Sequence, residues 1–168
     1  MNKFLLDSHA HLDDPGFDAD REAVIERARA AGLRYLLAVG GGTGPDNLEG
    51  SITLAECREW IYATVGVHPH EARHFEGRHA EQIRKLAQRP KVVAIGEIGL
   101  DYYHDHSPRE IQKLTLIRQL ELAREARLPI VIHCRDAWRT SRRLFRPTGN
   151  RAGSEASYIA SRATAKML

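Results

Sequence analysis

Five short apolar runs recur along the first 137 residues, each followed by a polar motif and then a helical stretch. They are Phe4-Leu5-Leu6, Tyr35-Leu36-Leu37-Ala38-Val39, Ile61-Tyr62-Ala63-Thr64-Val65, Val92-Val93-Ala94-Ile95 and Ile130-Val131-Ile132. Most are β-branched and continuous rather than alternating, the pattern of strands buried on both faces of a parallel sheet. Helices are expected between them at about 18–31, 46–58, 78–88 and 108–127. Alternating β and α units specify a parallel α/β sheet.

The strands begin about 31 residues apart on average, and eight such units fill the ~250 residues of a (β/α)8 TIM barrel. With 168 residues the chain reaches the fifth strand. The expected fold class is therefore α/β, the N-terminal five strands of a (β/α)8 TIM barrel, incomplete, with a poorly ordered C-terminal tail. The last helix has the clearest signals. Ser107 offers an N-cap hydroxyl, Pro108 a first helical residue and Glu110 the acid of a capping box. Leu116, Ile117, Leu120 and Ala123 fall on one face. Gly32 is placed to close the first helix, and Pro90 and Pro129 to stop the third and fourth.

From Arg139 onward the apolar periodicity fades. Residues 139–168 hold six arginines and one lysine against one glutamate, so the net charge of +3 belongs to this tail and the body is acidic, at −3. The whole-chain basicity thus carries no argument for nucleic-acid binding. Residues 1–138 are read as the partial barrel and 139–168 as a non-homologous basic tail. Disorder is expected over 147–168, a short helix is allowed around Leu144-Phe145, one helical turn at Tyr158-Ile159-Ala160, and no sixth strand. The longest apolar runs are about five residues, far below the roughly 20 of a membrane span. An acid at Asp7 comes too early for a secretory signal. Two cysteines, Cys57 and Cys134, are too few for a disulfide framework and suit a cytoplasmic setting. No membrane and no obligate protein partner is expected.

The chemistry sits where the runs end. Four of the five lead into groups that ligate metal: Asp7-Ser8-His9-Ala10-His11, His68-Pro69-His70-Glu71, Glu97 with Asp101, and His133-Cys134-Arg135-Asp136. The remaining run ends in Gly40-Gly41-Gly42, which lacks the spacing and lysine of a phosphate-binding loop and reads as a strand-end turn. These are the C-terminal ends of parallel strands, the face on which such barrels carry active sites. Two imidazoles at i and i+2, His9 and His11, can grip one ion, and Glu97 and His133 stand on neighbouring strand ends. This donor set suits Zn²⁺, Mn²⁺ or Fe²⁺, while a carboxylate- and water-rich site suits Mg²⁺. The glycines around Glu97 allow close backbone approach; a salt bridge to an arginine is the competing reading of that carboxylate. Asp101 is a loop cap or a substrate contact. His68 and His70 ligate metal, bind phosphate or line the mouth, with substrate contact preferred. Arg135 meets a phosphate oxygen or pairs with Asp136. Cys134 reads as a small buried filler, and His74, His79, His104 and His106 as surface residues.

These motifs together resemble the TatD family of metal-dependent hydrolases, within the amidohydrolase-like TIM barrels. Leu5-Leu6-Asp7-Ser8-His9-Ala10-His11-Leu12-Asp13, Gly66-Val67-His68-Pro69-His70-Glu71-Ala72, Gly96-Glu97-Ile98-Gly99-Leu100-Asp101-Tyr102-Tyr103 and Pro129-Ile130-Val131-Ile132-His133-Cys134-Arg135-Asp136-Ala137 look like its four successive signatures. The resemblance covers residues 4–138. It implies a divalent-metal-dependent hydrolase of the deoxyribonuclease type, with metal-ligand roles for His9, His11, Glu97 and His133 and a catalytic role for Glu97. Two ions, Mg, Mn or Zn, are implied for the complete family site, and DNA or another phosphodiester as substrate. His68, His70 and Arg135 are then the substrate-binding candidates.

The family pattern continues with a later histidine and with an aspartate in a Glu-Thr-Asp context. Neither follows His133 here. The joint change of motif, periodicity, charge and composition is read as a frame lost, or a gene truncated, near codon 139. The alternative function is accordingly a catalytically inactive fragment retaining partial metal binding, expected to be poorly soluble or oligomeric. Two other readings stand beside it. One is a hydrolase of C–N or ester bonds in small molecules, against which the Gly-Glu-Ile-Gly-Leu-Asp glutamate argues. The other is a basic nucleic-acid-binding tail without aromatic interleaving.

Overall fold

The computed structural model describes residues 5–144 and the backbone of 158–160. The elements follow one another as β1 (Leu5–Ala10), α1 (Arg21–Ala30), β2 (Leu33–Ala38), α2 (Gly50–Glu56), β3 (Ile61–Val65), α3 (Gly77–Leu86), β4 (Val92–Asp101), α4 (Arg109–Ala126), β5 (Ile130–Arg135), α5 (Trp138–Leu144) and β6 (Tyr158–Ala160). Short 3₁₀ turns cover Pro15–Phe17 and Pro69–His74. The sheet order is β1-β2-β3-β4-β5-β6, and every neighbouring pair is parallel. The five expected strands and four expected helices are all present, and β1 to β5 with their helices form an incomplete barrel wall.

One expectation for the C-terminal part changes. Tyr158-Ile159-Ala160 is not a helical turn but a strand, paired with Ile130, Val131 and Ile132 of β5. Three β-compatible residues beside an existing strand gain a ladder of backbone hydrogen bonds that an isolated turn lacks. Helix α5 ends at Leu144, the short helix allowed there after the fifth strand. The disorder expected over 147–168 otherwise lies outside the described residues. Among those residues, no helix is long and apolar enough to cross a membrane.

Burial follows position in the sheet. Ile61, Ala63, Val65, Ile95, Ile98 and Leu100 are fully excluded from water and join Ile52, Ile83, Leu116 and Leu122 from the helices in one core. Each of these valine, leucine and isoleucine side chains contributes about 1.5–3 kcal/mol by leaving water. Strand β1 departs from the two-faced burial expected of it, because it is the edge of the described sheet: Leu5 and Leu6 are each 57% exposed.

Helix α4 buries Gln112, Thr115, Leu116, Gln119, Leu122 and Ala123. Ile117, expected on the buried face, is 40% exposed. The polar members explain why the hydrophobic pattern misled. Gln119 Oε1 accepts from Val67 N at 2.7 Å, and its Nε2 donates to Val67 O at 3.0 Å. Two turns earlier, Gln112 accepts from Asp101 N at 2.8 Å and donates to Asp101 O at 3.0 Å and Ser107 O at 2.8 Å. The two amides act as a neighbouring strand for backbone at the end of β4 and just past the end of β3, satisfying groups that cannot be buried unpaired.

The start of α4 is also rebuilt. Pro108, not Ser107, is the N-cap, and no side chain caps the helix. The Ser107 hydroxyl donates instead to His70 O at 2.7 Å and accepts from Arg73 N at 3.0 Å, tying the loop after β4 to the loop after β3. Gly32 (φ +95°) follows α1 as expected, its N–H bonded to Arg29 O. At the opposite end of the sheet, Lys91 Nζ donates to Arg58 O and Glu59 O at 2.9 Å and to Ile61 O at 3.2 Å, closing the bottom of the wall away from the ligands.

Candidate metal centre

Strand ends β1, β4 and β5 bring the candidate ligands together. His9 Nε2 and His11 Nε2 are 3.0 Å apart, and each faces Glu97 Oε2, at 3.4 and 3.3 Å. His133 reaches the other carboxylate oxygen, its Nδ1 lying 3.4 Å from Glu97 Oε1. Glu97 is 3% exposed, and three imidazoles face its carboxylate.

Close backbone approach makes this possible. A β-carbon at Gly99 (φ +155°) would stand 1.8 Å from His133 O, so only glycine lets β4 lie this close to β5 at His133. The glycine run after β2 is more than a turn. Gly40 O accepts from Glu97 N at 2.9 Å, and Gly41 (φ +97°) leaves no room for a side chain between Gly66 O, Glu97 O and His68 N. The run is part of the floor beneath the carboxylate.

The rings are oriented from behind. His11 Nδ1 meets Val39 O at 3.0 Å, which places the proton there and turns the Nε2 lone pair toward Glu97. His133 Nε2 meets Asp101 Oδ2 at 3.0 Å, which by the same logic frees Nδ1 for Glu97. Burial works to raise the Glu97 pKa, but His11, His133 and His9 hold it well below the usual carboxylate range. Glu97 in turn raises His11 above its ordinary value despite burial. His133 is pushed down by burial and up by Glu97 and Asp101, with a net rise.

His68 and His70 lie beside this set. Their ring centroids are 4.3 Å apart, and His68 is also 4.3 Å from the His133 ring. Burial, reinforced by the charge of His133, lowers the His68 pKa to about 3, so the imidazole is neutral. Its Nδ1 accepts from His70 N at 3.3 Å, which puts its proton on Nε2. Arg135 places its guanidinium 4.1 Å over the Tyr103 ring. Cys134 is half-buried and contacts Ser141 Oγ at 3.4 Å, in keeping with a packing role.

Two residues carry more than the sequence indicated. Asp101 is fully buried: Oδ1 accepts from the N–H groups of Tyr103 and His104, and Oδ2 meets His70, His104 and His133. It is a loop cap and a histidine hub together. The only available signal was a buried strand running straight into an acid. His104, assigned to the surface, is exposed yet paired with Asp101. His79 is not a surface residue but 2% exposed, its Nδ1 accepting from Glu76 N at 2.9 Å at the start of α3. His74 and His106 are exposed as expected.

Residues 6–159 match the model of the TatD-related DNases. The chain belongs to that family. The TatD match runs past residue 138, beyond the four signatures and into β6. Over 137 residues the chain is 41% identical to the 3'-5' ssDNA/RNA exonuclease TatD of Rahnella sp. (strain Y9602), covering 82% of this chain and 52% of that protein. It is 42% identical over 133 residues to the uncharacterized metal-dependent hydrolase YabD of Bacillus subtilis (strain 168), covering 79% and 51%. The crystal structure of YJJV, a TatD homologue from Escherichia coli K12, superposes with a TM-score of 0.73 at 34% identity, over 81% of this chain and 52% of that one. A TatD family hydrolase from Entamoeba histolytica gives a TM-score of 0.75 at 27% identity, over 86% and 54%. The chain thus spans about half the length of the TatD relatives it matches.

Proposed function

We propose that this chain carries the ion-binding half of a divalent-metal-dependent hydrolase that cleaves phosphodiester bonds of DNA or a related single-stranded nucleic acid. One observation carries the reading. Nε2 of His9, Nε2 of His11 and Oε2 of Glu97 form a triangle with sides of 3.0, 3.3 and 3.4 Å. Ligands about 2.0–2.2 Å from a tetrahedral ion stand roughly 3.3 Å from one another, so the triangle matches one face of such a site.

His9, His11, Glu97 and His133 would hold the metal, with Glu97 offering an oxygen to each side. Zn²⁺, Mn²⁺ or Mg²⁺ is the proposed occupant, and two ions the proposed number in the complete family site. A divalent ion there supplies Lewis-acid polarisation of a phosphoryl oxygen and lowers the pKa of a water. The chain's own residues supply the rest. Glu97 stays ionised because three imidazoles surround it. His68, neutral with its proton on Nε2, donates a hydrogen bond to a phosphate oxygen without adding charge. His70 and Arg135 complete the substrate contact, the guanidinium held flat by Tyr103. The names of the exonuclease relatives support nucleic acid as the substrate. A cytoplasmic setting belongs to the same reading and is supported by two unpaired thiols, Cys57 and Cys134.

The test is cleavage of an end-labelled single-stranded DNA oligonucleotide in Mg²⁺, Mn²⁺ or Zn²⁺. Turnover should vanish with EDTA and fall in Glu97→Gln by more than the roughly 10–100-fold that loss of an outer-shell partner costs. Ion binding without turnover under any metal would replace the enzyme reading with that of a non-catalytic metal-binding fragment.

A further inference from the structure

Strand β4 ends in a second donor set that the His9–His11–Glu97 triangle does not use. Asp101 Oδ2 faces His70 Nε2 at 2.8 Å, His104 Nδ1 at 3.0 Å and His133 Nε2 at 3.0 Å, while Oδ1 accepts from Tyr103 N at 3.0 Å and His104 N at 2.9 Å. A carboxylate offers about four lone-pair directions, and five partners converge on this one. With Oδ1 full and one lone pair of Oδ2 given to the His133 N–H, one lone pair remains for two imidazole nitrogens. One ring nitrogen is left facing an oxygen with no lone pair to offer it, unless the two nitrogens and the oxygen share a cation.

We propose that His70, Asp101 and His104 form an additional divalent-cation site. The three ligand atoms lie within 4.8 Å of one another, close enough for a modest rotation of exposed rings to seat an ion at the 2.0–2.2 Å distances of imidazole and carboxylate ligands. Two nitrogens and one oxygen favour Zn²⁺, Mn²⁺ or Fe²⁺ over Ca²⁺. Each ligand is anchored from outside the cluster. Gln112 fixes the Asp101 backbone at both N and O, and Ser107 holds His70 O. The His106 ring stacks on His104, 5.4 Å between centroids and 5° from parallel, and meets the His70 ring edge-on at 4.6 Å. The His70 and His104 side chains are 29% and 34% exposed, so the remaining coordination positions open to solvent. An anionic oxygen, such as that of a phosphate, is the ligand this opening fits. The site draws on none of the triangle's donors and stands or falls apart from it. It changes one detail of the functional reading: His70 meets substrate through an ion rather than directly.

The test uses the full chain, stripped with EDTA and desalted, and titrated with Zn²⁺ by calorimetry and with Co²⁺ by visible absorption. His104→Ala alters an exposed side chain, and its fold is checked by circular dichroism. It should bind one equivalent fewer than the parent and lose one Co²⁺ band, whereas a His9→Ala/His11→Ala double variant keeps that equivalent. Asp101→Asn should reproduce the loss if it folds. Unchanged stoichiometry and affinity in His104→Ala, with loss in the double variant, overturns this site alone and leaves a hydrogen-bonded network. A parent chain that takes up no ion overturns both this site and the metal centre.

Discussion

The α-carbon of Gly99 packs directly against the carbonyl oxygen of His133, so close that a β-carbon there would sit 1.8 Å from that oxygen. Backbone cannot yield as the tip of a flexible side chain does. Gly99→Ala should therefore force β4 and β5 apart at the level of the ligands. We expect destabilisation at or beyond the upper end of the ~1–3 kcal/mol usual for overpacking, with a parallel loss of metal affinity. Urea unfolding and Zn²⁺ titration measure the two effects, and near-parental values for both would contradict the packing described.

Gln119 replaces a missing strand partner for Val67, so Gln119→Leu orphans a buried N–H and a buried C=O. At about 1–3 kcal/mol per unsatisfied group, a total on the order of 3 kcal/mol should appear in the urea midpoint. The loop carrying His68 and His70 should lose amide-exchange protection first. A leucine variant as stable as the parent would show that the amide is dispensable.

The pH response of the metal-free chain has a defined sign. The folded-state pKa of His68 lies near 3, below the ordinary 6.5. Between those values the unfolded chain binds a proton that the native chain does not. Its contribution is therefore complete above about pH 6.5 and is lost as pH falls toward 3. His11 and His133, both raised, act oppositely, since their stabilisation is present below about 6.5 and lost as pH climbs through their folded values. Subtracting His68→Asn from the parent isolates the first effect. In EDTA the variant should show a shallower acid-side loss of melting temperature, and parallel curves would contradict a buried neutral His68.

Ion binding to the native state alone should raise stability by mass action, by about 2.7 kcal/mol at a hundredfold excess over the dissociation constant. Zn²⁺ should accordingly raise the melting temperature of the parent, and raise it less in Glu97→Gln. An equal rise in both would remove Glu97 from the ligand set.

Strand positions were legible because a buried parallel strand must be apolar on both faces; the runs beginning near 35, 61, 92 and 130 lie at β2, β3, β4 and β5. The residues that converge at their ends were legible for the same reason, since a histidine or glutamate directly after a buried run has few other places to be. What the sequence concealed was pairing. Gln112 and Gln119 look like surface amides on a helix until the backbone they serve is in view. His104 lies three residues after Asp101, the last residue of β4, and only the turn that follows the strand lays one on the other. Strand β6 is three residues long and gains its conformation from β5, so no local pattern announces it.

Strand order in the sheet is strand order in the chain. Strands that are neighbours in the sheet are therefore neighbours in sequence, and groups on distant strands meet only across the strands between them. His9 and His11 stand at the end of β1, whereas the carboxylate they face, Glu97, stands on β4. Any ion held by all three groups would therefore tie the first strand to the fourth across the two strands between them, and would favour every arrangement in which β1 to β4 stay joined.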